Sequence, residues 1–321
     1  MAKKQSNRTG RSSKKTSKPP PSLDRRSLEK SMADIHNLLQ SREFESIDEI
    51  NAFLKQTLAS GQALPSSANL SVVEQAQDLM YQAWDAHGAK RVRLARQALE
   101  IFPDCADAYV LLAEETAKTP QEAQTLYQQA LKAAERTIGP QDFQEFVGHF
   151  WGILETRPYM RAREGLAHIL WFLGEKTQAI AHASDMLRLN PGDNQGIRYV
   201  LVNWLFQTND IPALNTLLNQ YPDDGMATWC YTRALVAFRE LGPVHQADLL
   251  LEQALNENRF VPRYLLGTKK LPGHPPAFIG FGDENEAIEY ALSAFSIWQN
   301  DRAALDWLKS FIASSSISTS T

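Results

Sequence analysis

A period of 34 residues constrains the fold of this chain more than any other feature. Between residues 157 and 263, six sets of positions separated by 34 residues remain apolar through three successive units. These sets are Leu166, Val200 and Ala234; Ala167, Leu201 and Leu235; Leu170, Trp204 and Phe238; Ala179, Ala213 and Ala247; Ala183, Leu217 and Leu251; and Leu187, Tyr221 and Leu255. Such a period is typical of paired antiparallel helices that stack to bury their apolar faces. The sequence therefore predicts an all-α solenoid of helix-turn-helix repeats.

The residues of one unit fit a particular repeat motif. Ala167 and Ala179 are small enough to let two helices approach closely, Gly174 permits a tight turn between them, and Pro191 ends the second helix. At these offsets the unit resembles the tetratricopeptide repeat, although Arg163 stands where that motif usually has an aromatic residue. The resemblance implies a tetratricopeptide-like α-solenoid in which the first helix of each pair lines a concave face.

The rest of the chain divides around the three units at 157–263. Upstream, a step of 32 residues aligns Leu94 with Leu126 and predicts two divergent units at 70–135. The middle unit lacks the turn glycine and has Thr208 in its place, while Asp283 and Glu286 predict a helix cap before a helix at 287–299. The remaining segments are a disordered basic tail at 1–22, a helical pair at 25–60, a linker at 61–69, an inserted aromatic helix at 140–156, a Gly/Pro-rich loop with C-terminal helices at 264–312, and a disordered tail at 314–321.

The charge of the chain is distributed unevenly. Residues 1–30 contain ten basic and two acidic residues, a balance of +8, although the whole chain carries −4. Contacts between such a tail and phosphates would give salt-sensitive affinity, but the tail has no aromatic residue on which a base could stack. Association with nucleic acid or another acidic surface through this tail is therefore the alternative hypothesis, and it is less favoured than protein binding.

Several longer stretches carry a second resemblance. In the segments 157–163, 190–199, 221–224, 258–266 and 282–290 the chain looks like bacterial tetratricopeptide proteins. These proteins are in turn similar to the C-terminal part of the suppressor-of-tumorigenicity-seven family, over about residues 157–312 of this chain. Animal members of that family are membrane-associated and have no established enzymatic activity, whereas this sequence lacks their membrane segments. The resemblance thus implies the repeat fold and transfers no catalytic residue.

No pattern for catalysis or metal binding stands out. Cys105 and Cys230 form no CxxC motif, the seven histidines show no HxxxH or HExxH spacing, and no serine lies in GxSxG. The GxG at 280–282 lacks the rest of a phosphate-binding fingerprint. We therefore expect no catalytic residues, no cofactor, no metal and no enzyme activity. Because no apolar run approaches membrane-spanning length, we also expect no membrane association and a cytoplasmic location.

Ligand contacts are expected on the concave face. Positions 2, 5, 9 and 12 of a tetratricopeptide unit line this face, and arginine and tryptophan are enriched at binding hot spots. The predicted peptide-binding residues are Arg161, Glu164, His168, Trp171, Arg198, Trp229 and Arg239, with Gln195, Leu205 and Thr232 at further positions of the same face. An alternative interpretation places Trp171 and Trp229 in the core between repeats and pairs the arginines with neighbouring acids.

The sequence as a whole favours a protein- or peptide-binding adaptor or scaffold. A rigid groove loses little entropy when it binds, which suits a stack of helix pairs. The identity of the partner and the oligomeric state are not encoded in any pattern of the chain.

Overall fold

The structure is a computed structural model that describes residues 25–40, 43–59 and 70–318. Every regular element within these ranges is a helix, which confirms the all-α fold class. The elements are α1 (Arg25–Gln40), α2 (Ile47–Ala59), α3 (Val72–Asp85), α4 (Ala89–Ile101), α5 (Ala106–Thr116), α6 (Pro120–Ile138), α7 (Pro140–Glu145), a 3-10 helix (Leu154–Thr156), α8 (Arg157–Phe172), α9 (Lys176–Leu189), α10 (Ile197–Gln207), α11 (Ile211–Gln220), α12 (Ala227–Leu241), α13 (His245–Glu257), α14 (Val261–Leu265), α15 (Glu284–Gln299) and α16 (Arg302–Ser318).

Local sequence signals set the beginnings of several helices. Ser71 and Glu74 form a capping box at α3, in which the serine hydroxyl accepts from the Glu74 N–H at 3.3 Å and the Glu74 carboxylate accepts from the Ser71 N–H at 2.7 Å. Thr119 caps α6 and Asp210 caps α11, and each of these helices has a proline in its first turn. Side-chain caps therefore mark where these helices begin and accept hydrogen bonds from N–H groups that have no partner within the helix.

The helices pack as successive pairs, and the pairs stack. The pairs are α3–α4, α5–α6, α8–α9, α10–α11, α12–α13 and α15–α16. The side chains of the six repeating sets are buried or pack against one continuous core that runs from α5 to α16. A smaller apolar cluster joins α3, α4 and α5. The 34-residue period is thus the period of a stacking helix pair, and the fold is a tetratricopeptide-like α-solenoid.

The turns within the pairs use residues that tolerate positive φ. Gly174 and Gly242 take φ values of 85° and 79° at the turns after α8 and α12. In the middle unit, which has Thr208 in place of the glycine, the turn is made by Asn209 with φ 56°. Asparagine is one of the few other residues that adopt this conformation at modest cost, so the middle unit keeps the same turn.

The aromatic segment at 140–156 is not the single helix that the sequence predicts. Its first helix, α7, has six residues, and Gly148 then takes a φ of 95°. The N–H groups of Gly148 and Phe150 both donate to the carbonyl of Leu189, at 2.9 and 3.2 Å, and draw the segment onto the end of α9. Phe143 and Phe150 pack edge-on against Tyr159. The aromatic residues of the segment therefore fill space between repeats.

The C-terminal region consists of the short helix α14, a loop, and the helices α15 and α16. No helix lies between α14 and α15, and Asp283 caps α15 by accepting from the Glu286 N–H at 2.8 Å. The last helix runs to Ser318, so it extends into the segment at 314–321 for which the sequence predicts disorder. The basic tail at 1–22, the linker at 61–69 and residues 319–321 lie outside the described residues.

Candidate binding surface on the first helices

The first helices of the pairs form a continuous surface. We call the surface made by α3, α5, α8, α10, α12 and α15 the inner face. Besides its neighbours, α10 contacts α15, which belongs to the second pair after it. Helices on the inside of a curved stack approach one another in this way, so the inner face is the concave side of the solenoid.

A buried group of four charged side chains lies at the N-terminal part of the inner face. Arg161 of α8 donates to both carboxylate oxygens of Asp107 on α5, from Nε at 2.7 Å and from Nη2 at 2.6 Å. The same guanidinium donates to Glu29 of α1 at 3.0 and 3.1 Å, and Arg157 Nη1 donates to Glu29 at 3.3 Å. Burial opposes the charge of Arg161, but the two acids more than offset this effect and raise its pKa. We call Arg157, Arg161 and Asp107 the arginine site.

Residues outside α1 fix the orientation of both Arg157 and Arg161. Arg157 Nε donates to the backbone carbonyl of Trp151 at 2.9 Å, and its guanidinium carbon lies 5.4 Å from the centroid of that indole ring. The guanidinium carbon of Arg161 lies 5.0 Å from the ring centroid of Trp84. These distances are within the range of cation–π attraction. Gln77 of α3 further holds the acid of the site, because its amide donates to Asp107 Oδ2 at 2.9 Å.

Helix α1 lies on this part of the inner face through polar contacts. Lys30 Nζ is 2.9 Å from its α1 neighbour Asp34 and 3.6 Å from Asp78 of α3. His36 Nε2 lies 3.8 Å from Glu155 in the 3-10 helix. Together with Glu29, these contacts place α1 against α3 and across the N-terminal end of α8.

Arg198 is the centre of a second polar cluster, at the start of α10. Its Nε donates to Asp224 at 2.7 Å, its Nη1 to Asp193 at 3.1 Å, and its Nη2 to the hydroxyl of Tyr199 at 2.8 Å, which donates to Asp224 at 2.8 Å. The guanidinium also lies 5.1 Å from the ring of Tyr221. Burial raises the pKa of Asp193, which caps α10 through two backbone N–H groups. The cluster ties one repeat to the next.

Aromatic side chains form the middle of the inner face. Trp171 stacks on Trp204, with ring centroids 4.6 Å apart and an angle of 6° between the planes. The exposed His168 meets the edge of Trp204 at 5.5 Å. Lys176 Nζ lies 5.0 Å from the centroid of Trp171. Stacking between neighbouring units therefore holds the half-buried Trp171 in a fixed position on the buried Trp204.

A depression of about 550 Å³ opens beside Lys176, the residue that lies against Trp171. Its lining residues are Lys176, Phe206, Gln207, Arg239, Leu292, Ser293, Ser296, Ile297 and Asn300. They include two basic residues and no acidic one. Arg239 donates from Nε to Asp301 at 2.7 Å, and its guanidinium carbon lies 4.8 Å from the ring of Phe206. We call this region, which is enclosed by α10, α12, α15 and the start of α9, the basic depression.

Trp229 lies in the core between repeats, which is the position given by the alternative interpretation of the sequence. Its side chain is fully buried, its indole N–H donates to the carbonyl of Leu218 at 3.4 Å, and its ring meets the edges of Tyr199 and Tyr221 at 5.9 Å. The core between repeats therefore holds this tryptophan. Leu205 and Thr232 are buried as well, while the half-buried Glu164 accepts a hydrogen bond from Gln195.

The structure also contains a polar centre that sequence reasoning missed. Glu286 is buried and accepts from the Ala227 N–H at 2.9 Å, from Asn258 Nδ2 at 2.7 Å and from the Gly282 N–H at 2.8 Å. It joins the start of α12, the end of α13, the loop and α15. From the sequence, Glu286 was predicted only to cap a helix. The sequence signal that could have pointed to a larger role is its position in the segment 282–290, where the chain resembles the family.

Cysteine and acidic side chains are common nucleophiles and metal ligands in proteins. Cys105 and Cys230 are both buried, and burial raises the pKa of each thiol to about 12. Within the described ranges, no group of three or more His, Cys, Asp or Glu side chains is arranged to hold a metal ion. Nor does any helix there have the length and apolarity needed to cross a bilayer.

Stacked helix pairs with a 34-residue period and a surface built from their first helices define a helical-repeat protein of the tetratricopeptide type. More specifically, the chain belongs to the ST7 family, since the family model described as ST7 protein matches residues 62–316. The match begins well upstream of the stretch at 157–312 that carried the resemblance in the sequence. It includes the arginine site, but neither α1 nor α2.

Relatives from animals show the same relationship. Protein ST7 homolog of Drosophila melanogaster is 29% identical over 255 residues, which cover 72% of this chain and 47% of the relative. Human Suppressor of tumorigenicity 7 protein-like is 31% identical over 255 residues, covering 72% of this chain and 44% of the relative. The chain thus spans less than half the length of these curated relatives.

A solved structure is also similar. It is the crystal structure of YrrB, described as a TPR protein with an unusual peptide-binding site, which is 16% identical to this chain with a TM-score of 0.38. The similar region covers 58% of this chain and 84% of that one.

Proposed function

We propose that this chain is a non-enzymatic adaptor or scaffold that holds a protein segment or peptide on the inner face of its repeats. The observation that carries the proposal is the basic depression, whose Lys176 lies against the half-buried Trp171. Tryptophan and arginine are among the residue types that dominate binding energy at interfaces. Packing has already ordered them here, so that a ligand binds without a large loss of side-chain entropy.

The predicted contact residues take different parts in this proposal. His168, Trp171 and Arg239 reach the surface, and we propose that they touch the ligand directly. Arg161, Glu164 and Arg198 are engaged with groups of the chain itself and line the edges of the same face. Trp229 supports the face from below, because it packs against the tyrosines that surround Arg198.

The chemistry of the depression favours a particular kind of ligand segment. Lys176 and Arg239 supply positive charge, while Ser293, Ser296 and Asn300 supply hydrogen-bonding groups. An acidic or amide side chain beside an apolar one would match this lining, since the wall also includes Phe206. The proposed ligand is therefore a peptide segment with a net negative charge.

Two features support a role without catalysis. Each thiol has a pKa near 12, so neither cysteine is a thiolate at neutral pH. The other strongly buried charged groups are engaged in ion pairs or hydrogen bonds within the fold, as in the arginine site and around Glu286.

The proposal is tested by reversing the charge of the depression. The variant Lys176→Glu with Arg239→Glu should lose partners that the wild-type chain recovers from a nuclease-treated native lysate, by about tenfold or more. The matched control is Lys132→Glu with Arg188→Glu, which makes the same charge change at exposed positions on the second helices α6 and α9. Circular dichroism and thermal melting establish that both variants are folded.

If both variants lose the same partners, or if neither variant loses any, the proposal that partners bind the inner face is no longer supported. Nuclease treatment separates this experiment from the alternative hypothesis of nucleic-acid association through the basic tail. That alternative stays a prediction, because residues 1–22 lie outside the described residues.

A further inference from the structure

Helix α1 is held differently from the helices of the repeats. It lies outside the range 62–316 that matches the family, and it packs on the inner face against α3. Leu28 is 58% exposed and Met32 is also exposed, whereas Glu29 between them is 4% exposed. Amphipathic helices of a protein core bury their apolar side chains and expose their acids. The first part of this helix does the reverse, and there Glu29 attaches it to the repeats, whereas Ile35, Leu38 and Leu39 further along are half-buried.

The arginine site does not depend on α1 for its shape. Asp107 and the carbonyl of Trp151 orient the two guanidinium groups, and both of these partners belong to the repeat region. With Glu29 withdrawn, two positive groups would face the single carboxylate of Asp107. A poorly solvated excess charge is unfavourable, and arginine binds carboxylates through paired hydrogen bonds. The emptied site would therefore select another carboxylate.

The docked helix leaves part of this region empty. A cavity of about 820 Å³ lies between α1 and the walls made by α3, α5, α6 and α7. Ala33 of α1 lines the cavity, and apolar groups of Val73, Phe102 and Phe146 line it from the repeat side. Ala33 lies four residues after Glu29 and so shares its face of the helix. A methyl group makes few contacts in so large a space, whereas a longer apolar side chain at this position would fill part of it.

We propose that α1 is a removable occupant of a helix-binding site, and that the site's ligand is a helix of a partner protein with a glutamate and, one turn later, a large apolar residue. The glutamate replaces Glu29 on Arg157 and Arg161, and the apolar residue enters the cavity that Ala33 leaves unfilled. The inference rests on the proposed function, because the site is part of the inner face. In addition, the chain covers one end of this face with its own helix α1 until a partner helix displaces α1.

The first test uses a dye-labelled synthetic peptide with the sequence of residues 24–42 and the full-length chain, followed by fluorescence anisotropy. The peptide should bind the Glu29→Gln chain about tenfold or more tighter than the wild type, whose site is already occupied. The matched control chain is Glu45→Gln, which changes an exposed acid outside α1 and should bind like the wild type. A peptide with Ala33→Leu should bind tighter than the parent, and a peptide with Glu29→Gln should lose binding to both chains.

The second test keeps the wild-type chain, so it does not depend on how the Glu29→Gln chain folds. Saturating Ala33→Leu peptide should speed hydrogen exchange at the amides of residues 25–40 in the chain, as measured by mass spectrometry. Equal peptide affinity for the wild-type and Glu29→Gln chains, or exchange in α1 that the peptide leaves unchanged, would overturn the inference. If the inference about α1 fails in this way but the charge reversal at Lys176 and Arg239 still abolishes partner capture, the proposed function stands.

Discussion

Arg161 connects two acids that come from distant parts of the chain. It holds Asp107, which has no exposed side-chain surface, through two hydrogen bonds, and it also binds Glu29. Removing one partner of a buried ion pair leaves a charge without water or a counter-ion, at a cost of about 3–5 kcal/mol. We predict that Arg161→Met lowers the free energy of unfolding by that amount in urea denaturation.

Two further variants control this prediction. Arg188→Met removes an arginine of α9 whose side chain is largely exposed, and it should change stability by less than about 0.5 kcal/mol. Adding Asp107→Leu to Arg161→Met removes the stranded carboxylate and should restore part of the stability, since the two sites are directly coupled. Similar losses for Arg161→Met and Arg188→Met would contradict the account of the buried pair.

Sequence periodicity assigned the arginines to first helices but did not give their partners. Arg161 and Arg239 were predicted from their positions in the repeat, and both lie on first helices. Their acids, Glu29 and Asp301, are 132 and 62 residues away in the chain. Such pairings follow from how the stack curves and where α1 docks, and a local pattern contains neither. The sequence likewise left two positions for Trp229, on the surface or in the core. The curvature of the stack decides whether such a repeat position faces a ligand or the next repeat.

At the scale of elements, the loop before α15 depends on a backbone that only glycine adopts easily. Gly282 has a φ of 70°, and a Cβ there would lie 2.9 Å from the carbonyl oxygen of Glu257. We predict that Gly282→Ala costs about 1–2 kcal/mol for the left-handed backbone and about 1–3 kcal/mol more for the contact. The expected result is a lower midpoint in thermal and urea unfolding.

The turn after α8 offers a matched control. Gly174 has a φ of 85°, but a Cβ there would meet no atom within 4 Å. Gly174→Ala should therefore show the backbone cost alone, about 1–2 kcal/mol. If both alanine variants unfold at the same midpoint, the contact with Glu257 contributes nothing and the packing account of this loop is wrong.

Elements with strong local signals were the predictable ones. The helix pairs follow from the 34-residue period, and the cap at Asp283 follows from the spacing to Glu286. The aromatic segment was mispredicted as one helix because its course depends on hydrogen bonds from Gly148 and Phe150 to Leu189, a residue of another helix. Apolar spacing alone does not reveal a backbone contact of that kind.

For the whole molecule, the proposed function depends on a surface to which each pair contributes one helix. Every pair contacts mainly its neighbours, so the stack is stabilised locally and its inner face is built from six first helices. The sequence predicted this architecture, because the repeat defines which helix comes first in each pair. It did not predict that α1 would cover one end of the face, since α1 belongs to no repeat.

The most direct test of the central claim is the hydrogen-exchange footprint of a captured partner on the full-length chain. We predict slower exchange around the basic depression, in α10, α12, α15 and the start of α9, and in the exposed end of α8, with no change in α11 and α13. Protection confined to those second helices, or no protection in any of the repeats, would show that the inner face is not where the partner binds.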